Sequence, residues 1–485
     1  MMETGYSQST ELPKKVPTHF RLKSVKVWQI EKIPPDAELV LGQNLFAQAY
    51  SPSQMNLARL LDGKIKISEN GKTLKVDRKG KGNSWKTVSK NKVTMVTIEH
   101  GGAKHGIILY RHLGVLKACS ANWVEGSSRD CSIVLLDGNL DGDYLDPSSD
   151  YISWQNSPFI KISKDHCLPK VGGVVKFNIE GQGSSARLVT KLESHAEGLN
   201  PTESEVIDAV NSFRLAVGLD TVVVDPEISS GCRKHVEYLH HHDPTKIGSV
   251  AGGGLGDFIR EDESLEKYSA EGNRASINGM VGYLDNNQPA SSIIDSSYRG
   301  THLRRKMEIP GRMKFGAAEL HSWVLASSGY ASEVSEPGFT LIPAPGQVNV
   351  PSTCAGGWPS PKSHPQIYLQ PRGFPISFSV YGKSENGNSP WLPNLFSSST
   401  ITLSTLGDNV LVPGFSFTNS DVFASSPTTS WYFVPAKPLE DGIEYVVRIN
   451  AIPLEWDMLP KDSQKSTSGS IQFSYSFKTK DIANK

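Results

Sequence analysis

An acidic segment in the first third of the chain has the spacing of a calcium-binding loop. Asp137, Asn139 and Asp141 occupy alternate positions, and Gly142 follows them directly. Oxygen ligands at alternate positions face one centre, and a glycine permits the sharp turn that such a loop needs. Position twelve, which supplies a bidentate glutamate in an EF-hand, is Ser148, and the flanks are strand-like. The segment therefore predicts either a calcium loop outside the EF-hand class or a metal-free turn.

Histidines near the centre of the chain are the next candidates for chemistry. His235 shares an apolar helical stripe with Ile228 and Leu239, a pattern that favours a buried histidine bonded to a backbone carbonyl. Residues 240–242 are three consecutive histidines at a predicted helix end. Consecutive side chains on a helix point in different directions, and cations at a helix C-terminus interact favourably with its dipole. We therefore expect no metal shared by these three.

The sequence does not contain the signatures of common enzyme and nucleotide sites. A serine nucleophile elbow, an H-E-x-x-H pair, a Walker loop and a C-x-x-C pair do not occur. Gly252, Gly254 and Gly256 form a G-x-G-x-G run, but it follows no clear strand and has no phosphate-binding lysine nearby. This run predicts a flexible loop at the edge of a cavity. Catalysis by a less familiar route stays open.

Composition excludes some classes of function. The 485 residues suit about three domains of roughly 150 residues each. Lysine plus arginine equals aspartate plus glutamate at 50 each, whereas nucleic-acid-binding domains normally carry a basic excess. No apolar run approaches the ~18 residues of a membrane helix. The first thirty residues are polar and show no signal peptide, as expected of an intracellular chain or of a mature or truncated form.

Cysteine content argues against a dense disulfide framework. The five cysteines allow at most two intramolecular disulfides. Cys119 and Cys131 could pair across a hairpin-like segment, but their spacing alone does not decide whether they do.

The N-terminal part of the chain reads as strands. Residues 1–23 are polar and predicted to be flexible, and residues 24–193 are predicted to form a β-rich domain. Val93–Ile98, Gly106–Tyr110 and Cys131–Leu136 are short runs of β-branched and apolar residues bounded by turn residues. No convincing amphipathic helix occurs among them.

The pattern becomes helical after residue 200. Thr202 and Glu205 have the spacing of a capping box, and an apolar stripe with intervals of three and four follows them. Asp225 and Pro226 predict the N-cap and first position of a second helix. Residues 315–326 predict one strand that belongs with these helices.

The C-terminal third returns to strands. Residues 337–365 are rich in proline and glycine, which predicts a linker or an irregular edge. Several later runs, such as Ile376–Val380 and Ile471–Phe477, alternate apolar and polar residues. This alternation is typical of the half-buried sheets of a β-sandwich.

Three segments between residues 206 and 316 occur in the order and at the spacing of one protein family. They are V-I-D-A-V-N-S-F-R (206–214) with G-L (218–219) and D-P-E-I (225–228), Y-S-A-E-G (268–272) with Ala275, and H-L-R (302–304) with I-P (309–310) and F-G (315–316). Together they resemble the CAP superfamily of cysteine-rich secretory, antigen five and pathogenesis-related one proteins, in a bacterial branch. The resemblance implies an α-β-α sandwich over residues 200–333.

A further resemblance concerns the C-terminal part. The runs 373–376, 434–439, 442–445 and 477–479 are similar to segments of bacterial Ig-like domains. This resemblance implies an Ig-like β-sandwich after a Pro/Gly-rich linker, within residues 338–485. The expected fold class is therefore α+β and multidomain, with a central CAP-like sandwich flanked by an N-terminal β-rich domain and a C-terminal Ig-like sandwich.

The family resemblance also implies a cavity in which two histidines and two acids can hold zinc. By position, His302 matches the late histidine and Glu271 matches the early acid. No histidine stands about ten residues before Glu271, where Glu261 and Asp262 could substitute only loosely. Asp295 is the nearest candidate for the second acid. The implied tetrad is therefore degraded.

A degraded tetrad favours a non-catalytic protein, secreted or in the cell envelope, that binds a small or lipid-like ligand or a protein partner. His302, Glu271 and His235 are the candidate binding residues. No cofactor is required, although calcium in the N-terminal domain and zinc in the cavity are both open. The alternatives are a metal-assisted hydrolase that uses His302 and Glu271, and a structural or adhesion protein.

Overall fold

In the computed structural model, the chain divides into two compact units. One comprises residues 12–168 and 175–192, and the other comprises residues 1–11, 169–174 and 193–485. Up to residue 194, the structure describes the strands named below and residues 144–145, 150, 162 and 166. From 199 to 481 it describes all residues except 218, 243–259, 285–287, 302, 310–312, 330–337, 345–346, 348, 355–360, 368, 383–395, 407, 423–427 and 455–469.

Strands form nearly all of the described part of the chain up to residue 194, as the short β-rich runs of its sequence predicted. One sheet has the strand order β11-β10-β9-β8-β1-β14-β13-β12, and two smaller sheets have the orders β2-β3-β4 and β5-β6-β7. Leu135, Ile152, Leu168, Phe177 and Leu188 are buried together in the core. The strands are β1 (His19–Ser24), β2 (Ile67–Asn70), β3 (Thr73–Asp77), β4 (Trp85–Ser89), β5 (Thr94–His100), β6 (Ala103–His112), β7 (Val115–Ser120), β8 (Trp123–Ser127), β9 (Ser132–Leu136), β10 (Tyr151–Trp154), β11 (Ile160–Lys161), β12 (Cys167–Lys170), β13 (Gly173–Glu180) and β14 (Arg187–Ser194).

A four-stranded sheet with helices follows, and it has the strand order β15-β17-β18-β16. β15 runs parallel to β17, whereas the other neighbours are antiparallel. The helices are α1 (Pro201–Ala216), α2 (Pro226–His242), α3 (Ala270–Ile277) and α4 (Ser291–Arg299), with a 3₁₀ turn at Leu303–Lys306. The strands are β15 (Val223–Val224), β16 (Gly279–Tyr283), β17 (Lys314–Leu320) and β18 (Trp323–Ser328).

Helices cover both faces of this sheet. On one face, α1 and α4 bury Val206 and Ile294 in one core with Phe315 of the sheet. On the other face, α2 and α3 bury a second cluster, which includes Leu239 and Leu325. The alternation of side chains along β17 and β18 explains the two separate cores, since successive residues of a strand point to opposite faces. Residues 201–328 therefore form the α-β-α sandwich that the resemblance implied.

The segment 315–326, predicted as one strand, is a hairpin of β17 and β18. Leu320 pairs with Trp323, so the turn consists of His321 and Ser322 alone. Both turn residues have positive φ, at 49° and 73°. Two-residue hairpin turns favour such angles but usually use Asn or Gly to reach them. The sequence therefore lacked the usual turn signal, and the single-strand prediction was wrong.

The capping box of α1 lies two residues earlier than the sequence predicted. Asn200 Oδ1 accepts a hydrogen bond from the Glu203 backbone N–H at 2.8 Å, and Glu203 Oε2 accepts one from the Asn200 N–H at 3.0 Å. Glu205 instead accepts from the backbone N–H and the hydroxyl of Ser291, at 3.1 and 2.6 Å, where α4 begins. The predicted Thr202–Glu205 box was wrong because Glu205 is used in a tertiary contact.

The start of α2 agrees with its prediction. Asp225 Oδ1 accepts hydrogen bonds from the backbone N–H groups of Glu227 and Ile228, and Pro226 is the first helical residue. A hydrogen bond from Lys314 is the main reason why the pKa of Asp225 lies below its usual range. The cap therefore also connects α2 to β17.

The C-terminal part contains two sheets that face each other. Their strand orders are β19-β20-β23-β22 and β21-β24-β25. Phe378, Phe396 and Trp431 meet between the sheets, with ring centroids 5.5 to 5.6 Å apart. This is a β-sandwich, whereas its Ig-like assignment stays a prediction. The elements are β19 (Gly338–Ile342), β20 (Ile376–Tyr381), β21 (Phe396–Thr405), β22 (Gly414–Thr418), α5 (Asn419–Val422), β23 (Ser430–Pro435), β24 (Glu444–Pro453) and β25 (Ile471–Lys478).

Candidate functional site

Only some of the predicted site residues belong to the part of the chain that the structure describes. His302 and the three candidate calcium ligands, Asp137, Asn139 and Asp141, lie outside it. The glycine-rich run 252–256 also lies outside it. His235 and Glu271 are described, on α2 and α3, and the candidate site is built from these two helices.

α2 and α3 approach each other closely at a glycine. A Cβ atom at Gly231 would lie 2.9 Å from the Glu271 carbonyl oxygen and 3.2 Å from the Ala275 Cβ. Only a residue without a side chain allows this approach. The contact positions His235, one turn further along α2, beside the N-terminal end of α3.

His235 forms a buried pair with Glu261. Its Nδ1 lies 3.0 Å from Glu261 Oε1, and both side chains are 0% exposed. The apolar stripe correctly indicated burial, but the partner that the structure gives the imidazole is a carboxylate. The two side chains offset the free-energy cost of leaving water because each has a hydrogen-bond partner.

Glu261 also holds the start of α3. Its Oε2 accepts a hydrogen bond from the Ser269 N–H at 2.6 Å, and its own backbone N–H donates to Asn273 Oδ1 at 3.2 Å. A Cβ at Gly272 would lie 2.2 Å from Glu261 Oε1, so the carboxylate fits only against glycine. A carboxylate at a helix N-terminus interacts favourably with the helix dipole. Glu261 therefore joins α2, the loop before α3 and α3 itself.

The C-terminal half of α2 makes further contacts with the loop before α3. The Tyr238 hydroxyl accepts from the Asp262 N–H at 3.0 Å. His241 Nε2 lies 3.3 Å from a carboxylate oxygen of Glu266, and His242 Nε2 contacts the Glu266 carbonyl oxygen. Two of the three predicted helix-end histidines, His241 and His242, therefore contact the loop before α3, whereas the His240 ring stacks on that of His321. Within the described residues, no group of three or more His, Cys, Asp or Glu side chains is arranged to hold a metal ion.

Glu271 faces away from the buried pair. Its side chain is 59% exposed and forms an ion pair with Lys234 at 3.4 Å. A hydrogen bond from its own backbone N–H, followed by the Lys234 ammonium, lowers the pKa of Glu271. Glu271 is therefore a surface carboxylate, although its backbone packs against α2.

Asp295, the candidate second acid, belongs to the other helical layer. It lies on α4, where Arg299 Nη1 is 3.4 Å from its carboxylate. Burial raises the pKa of Asp295, and Arg299 opposes that effect. Because α3 and α4 pack on opposite faces of the sheet, the structure does not bring Asp295 together with Glu271.

The partner of His235 is the site residue that sequence reasoning missed. Glu261 was considered as a replacement for a missing histidine, not as the partner of His235. The two residues are 26 positions apart, and that separation carries no periodic signal. The one available hint was an acid ten residues before the acid of the Y-S-A-E-G segment.

Comparisons with known proteins give structural matches alone. No family model matches the chain, and no curated protein matches it. Among solved structures, the chain is similar to an extracellular protein containing an SCP domain from Bacillus anthracis str. Ames, with 11% identity over 46% of this chain and 85% of that chain and a TM-score of 0.18. It is also similar to a cysteine-rich secretory protein from Staphylococcus aureus, with 10% identity over 47% of this chain and 85% of that chain and a TM-score of 0.17.

Among the helices that the structure describes, none is both long and apolar enough to cross a membrane.

Proposed function

We propose that this chain is a secreted or cell-envelope protein whose CAP-like α-β-α domain binds a small or lipid-like ligand or a protein partner without catalysis. Support comes from the sequence segments that resemble the CAP superfamily, which fall on elements of one sandwich. Asn211 and Arg214 lie on α1, Asp225 caps α2, and Glu271 lies in the first turn of α3.

The observation that carries the non-catalytic proposal is the state of the two described candidate residues. His235 is enclosed with Glu261, whereas Glu271 lies at the surface in an ion pair with Lys234. A general base has to reach the proton that it abstracts, within about 3 Å. A fully enclosed imidazole and an exposed, cation-paired carboxylate suit structural roles better than a shared reaction centre.

A ligand titration tests this proposal on the full chain. A dansyl-labelled fatty acid serves as the lipid-like probe, and its fluorescence is measured as protein is added. We expect saturable binding that survives chelator treatment and the substitution Glu271→Gln. The outcome against the proposal is one stoichiometric zinc ion in the purified chain together with peptide hydrolysis, both lost in His302→Ala. That result would favour the hydrolase alternative.

Calcium binding by the N-terminal acidic segment is a separate proposal, and it rests on the sequence spacing of Asp137, Asn139 and Asp141. Calcium bound to the folded state raises the thermal midpoint of the part that binds it. We expect a rise on addition of calcium that Asp141→Ala abolishes and that magnesium does not reproduce. Equal midpoints with and without calcium would identify the segment as a metal-free turn.

A further inference from the structure

The C-terminal sandwich contains a cavity of about 200 Å³ between the edges of its two sheets. β21 is the edge strand of one sheet, and β22 is the edge strand of the other. The lining includes Ser399 and Ile401 of β21, Ser416 and Thr418 of β22, Trp431 of β23 and Asp421 of α5. Cavities that stay empty are apolar, whereas four of these six side chains are polar. This cavity therefore suits an occupant that forms hydrogen bonds.

The register of the strands directs these side chains to the inside of the sandwich. Ile401 is buried in the core, so Ser399, two residues before it, points to the same face of its sheet. The Trp431 ring lies between the sheets, and Thr418 stands directly across from Trp431 in the other edge pair. Ser416, two residues before Thr418, shares its direction. The two sheets therefore present polar side chains to each other at this edge.

Asp421 carries the one charge among the described residues that line the cavity. Its Oδ2 accepts hydrogen bonds from the backbone N–H and the hydroxyl of Thr418, at 2.7 and 3.1 Å. These bonds hold the carboxylate at the end of β22 and leave its Oδ1 without a donor among the described residues. No described lysine, arginine or histidine forms an ion pair with Asp421. The cavity therefore has a negative charge that no neighbouring cation balances.

Ser399 supplies a second polar group that lacks a partner. Its Oγ is buried and forms no hydrogen bond with a described residue. A buried hydroxyl in this state destabilises the fold, because it has lost its hydrogen bonds to water and gained none in return. An occupant that donates a hydrogen bond to the Ser399 hydroxyl removes this cost.

The charge and the volume of the cavity indicate the class of its occupant. A carboxylate without a cation repels anions and forms strong, charge-assisted hydrogen bonds with an ammonium group. An ammonium has three N–H donors and no acceptor, which suits a lining of oxygen atoms. A cavity of about 150 Å³ holds benzene, and drug-sized ligands occupy about 300 Å³ or more. At about 200 Å³, this cavity fits a short organic cation.

We propose that this cavity binds a small primary alkylammonium ion. The ammonium group donates hydrogen bonds to Asp421 Oδ1 and Ser399 Oγ, and the alkyl chain packs on Ile401 and Trp431. Water molecules can bond to the polar side of the cavity, but they find no partner on its apolar side. The site belongs to the C-terminal sandwich and is distinct from the ligand site proposed for the α-β-α domain.

Fluorine NMR of the full chain, labelled with 5-fluorotryptophan, tests the proposal. The probe is n-butylammonium, and n-butanol and butyrate are its neutral and anionic analogues, each titrated at constant ionic strength. Trp431 lines the cavity, whereas Trp323 lies in β18 of the α-β-α domain. The Trp431 signal should therefore shift saturably with n-butylammonium while the Trp323 signal stays in place. Half-saturation with n-butanol should need an about tenfold higher concentration, and butyrate should cause no shift.

Two matched substitutions test the role of the carboxylate. Asp421→Asn keeps an acceptor for Thr418 but removes the charge, so the n-butylammonium concentration for half-saturation should rise by about tenfold. Asp408→Asn is the control, because Asp408 also accepts hydrogen bonds from a threonine hydroxyl and a backbone N–H but is not among the residues that line the cavity. It should leave the affinity unchanged. If Asp421→Asn does not fold, Ser399→Ala is judged by the same criterion.

Three results would overturn the proposal. They are a Trp431 signal that does not shift saturably with n-butylammonium, equal half-saturation for n-butylammonium and n-butanol, and equal half-saturation in wild type and in the variant. A further arm uses Nα-acetyl-lysine N-methylamide, which should bind more weakly than n-butylammonium because its backbone groups exceed the cavity. Tighter binding would assign the cavity to a lysine side chain of a partner protein and would also overturn the proposal of a free amine.

Discussion

At the scale of single residues, the environment of a carboxylate decides its role. Glu261 and Glu271 are ten positions apart in the chain. Glu261 is enclosed and bonds to His235 and Ser269, whereas Glu271 is exposed and pairs with Lys234. Buried charge-assisted hydrogen bonds contribute far more to stability than surface ion pairs do.

A pair of matched substitutions should show that the two carboxylates contribute differently to the free energy of unfolding. Glu261→Gln keeps the shape of the side chain but removes the charge that His235 and the Ser269 N–H face. We expect the free energy of unfolding to fall by about 2 kcal/mol or more, measured by urea denaturation followed by far-UV circular dichroism. Glu271→Gln should leave it nearly unchanged. Equal losses in the two variants would contradict the distinction between them.

Through Lys306, the free energy of unfolding should depend on pH in a way that the sequence does not reveal. Its ammonium donates to the carbonyl oxygens of Ile277 and Gly279, at the C-terminal end of α3. Burial lowers its pKa from 10.5 to about 8. The unfolded chain therefore binds more protons than the folded chain between these two values. The contribution of Lys306 to the free energy of unfolding consequently rises as pH rises through this window.

A comparison with Lys314 tests the direction in which the free energy of unfolding changes with pH. The free energy of unfolding of wild type minus that of Lys306→Met should increase from about pH 8 to pH 10, as measured by denaturant titrations at each pH. Lys314→Met is the control, because a hydrogen bond to Asp225 raises the pKa of Lys314. Its difference from wild type should stay level over the same range. A level difference for Lys306→Met would show that its amine is not desolvated.

At the scale of elements, local patterns identified helices but not all of their ends. The apolar stripe correctly predicted α1, and Asp225 and Pro226 correctly predicted the start of α2. The cap of α1 was misplaced because two overlapping sets of residues, at 200 and 203 and at 202 and 205, both fit the capping pattern. The contact of Glu205 with Ser291 decides between them, and it joins residues 86 positions apart.

Two substitutions at the start of α1 test which residue is the cap. Asn200→Ala should lower the free energy of unfolding by about 1 kcal/mol, because it leaves the Glu203 N–H without its acceptor. Thr202→Ala, at the position that the sequence pattern favoured, should change it little. Chemical denaturation of both variants measures the difference. A larger loss for Thr202→Ala would restore the original assignment.

At the scale of the molecule, the α-β-α domain and the C-terminal sandwich share one hydrophobic core. Met280 and Phe315 of the former belong to the same buried cluster as Phe378 and Val447 of the latter. Arg304 and Glu308 of the former add hydrogen bonds to the latter. A shared core couples the stability of its two sides, so we expect residues 199–481 to unfold cooperatively.

Fluorine NMR can test this cooperativity in the full chain. Trp323 reports on β18 and Trp431 on β23, and both are buried. In chain labelled with 5-fluorotryptophan, the two signals, assigned through Trp323→Phe and Trp431→Phe, should disappear at the same temperature. Midpoints several degrees apart would mean that the two parts unfold independently despite their shared core.

The amino-acid sequence by itself determined the class of each region: strands before residue 194, helices around a sheet between 201 and 328, and strands again at the end. Hydrophobic periodicity and helix caps are local properties, and a local pattern is sufficient to indicate them. The sequence also indicated that His235 is buried, since its neighbours on the helix are apolar.

Only the tertiary structure decided which distant groups meet. In the fold, His235 bonds to Glu261 and Glu205 bonds to Ser291. His321 and Ser322 form the turn of a hairpin, so the segment around them is two strands instead of one. The fold also buries Arg304 against the C-terminal sandwich. The physical reason is the same in each case. Hydrogen bonds between residues far apart in sequence depend on how helices and sheets pack, and no periodicity within either segment records which partner it will meet.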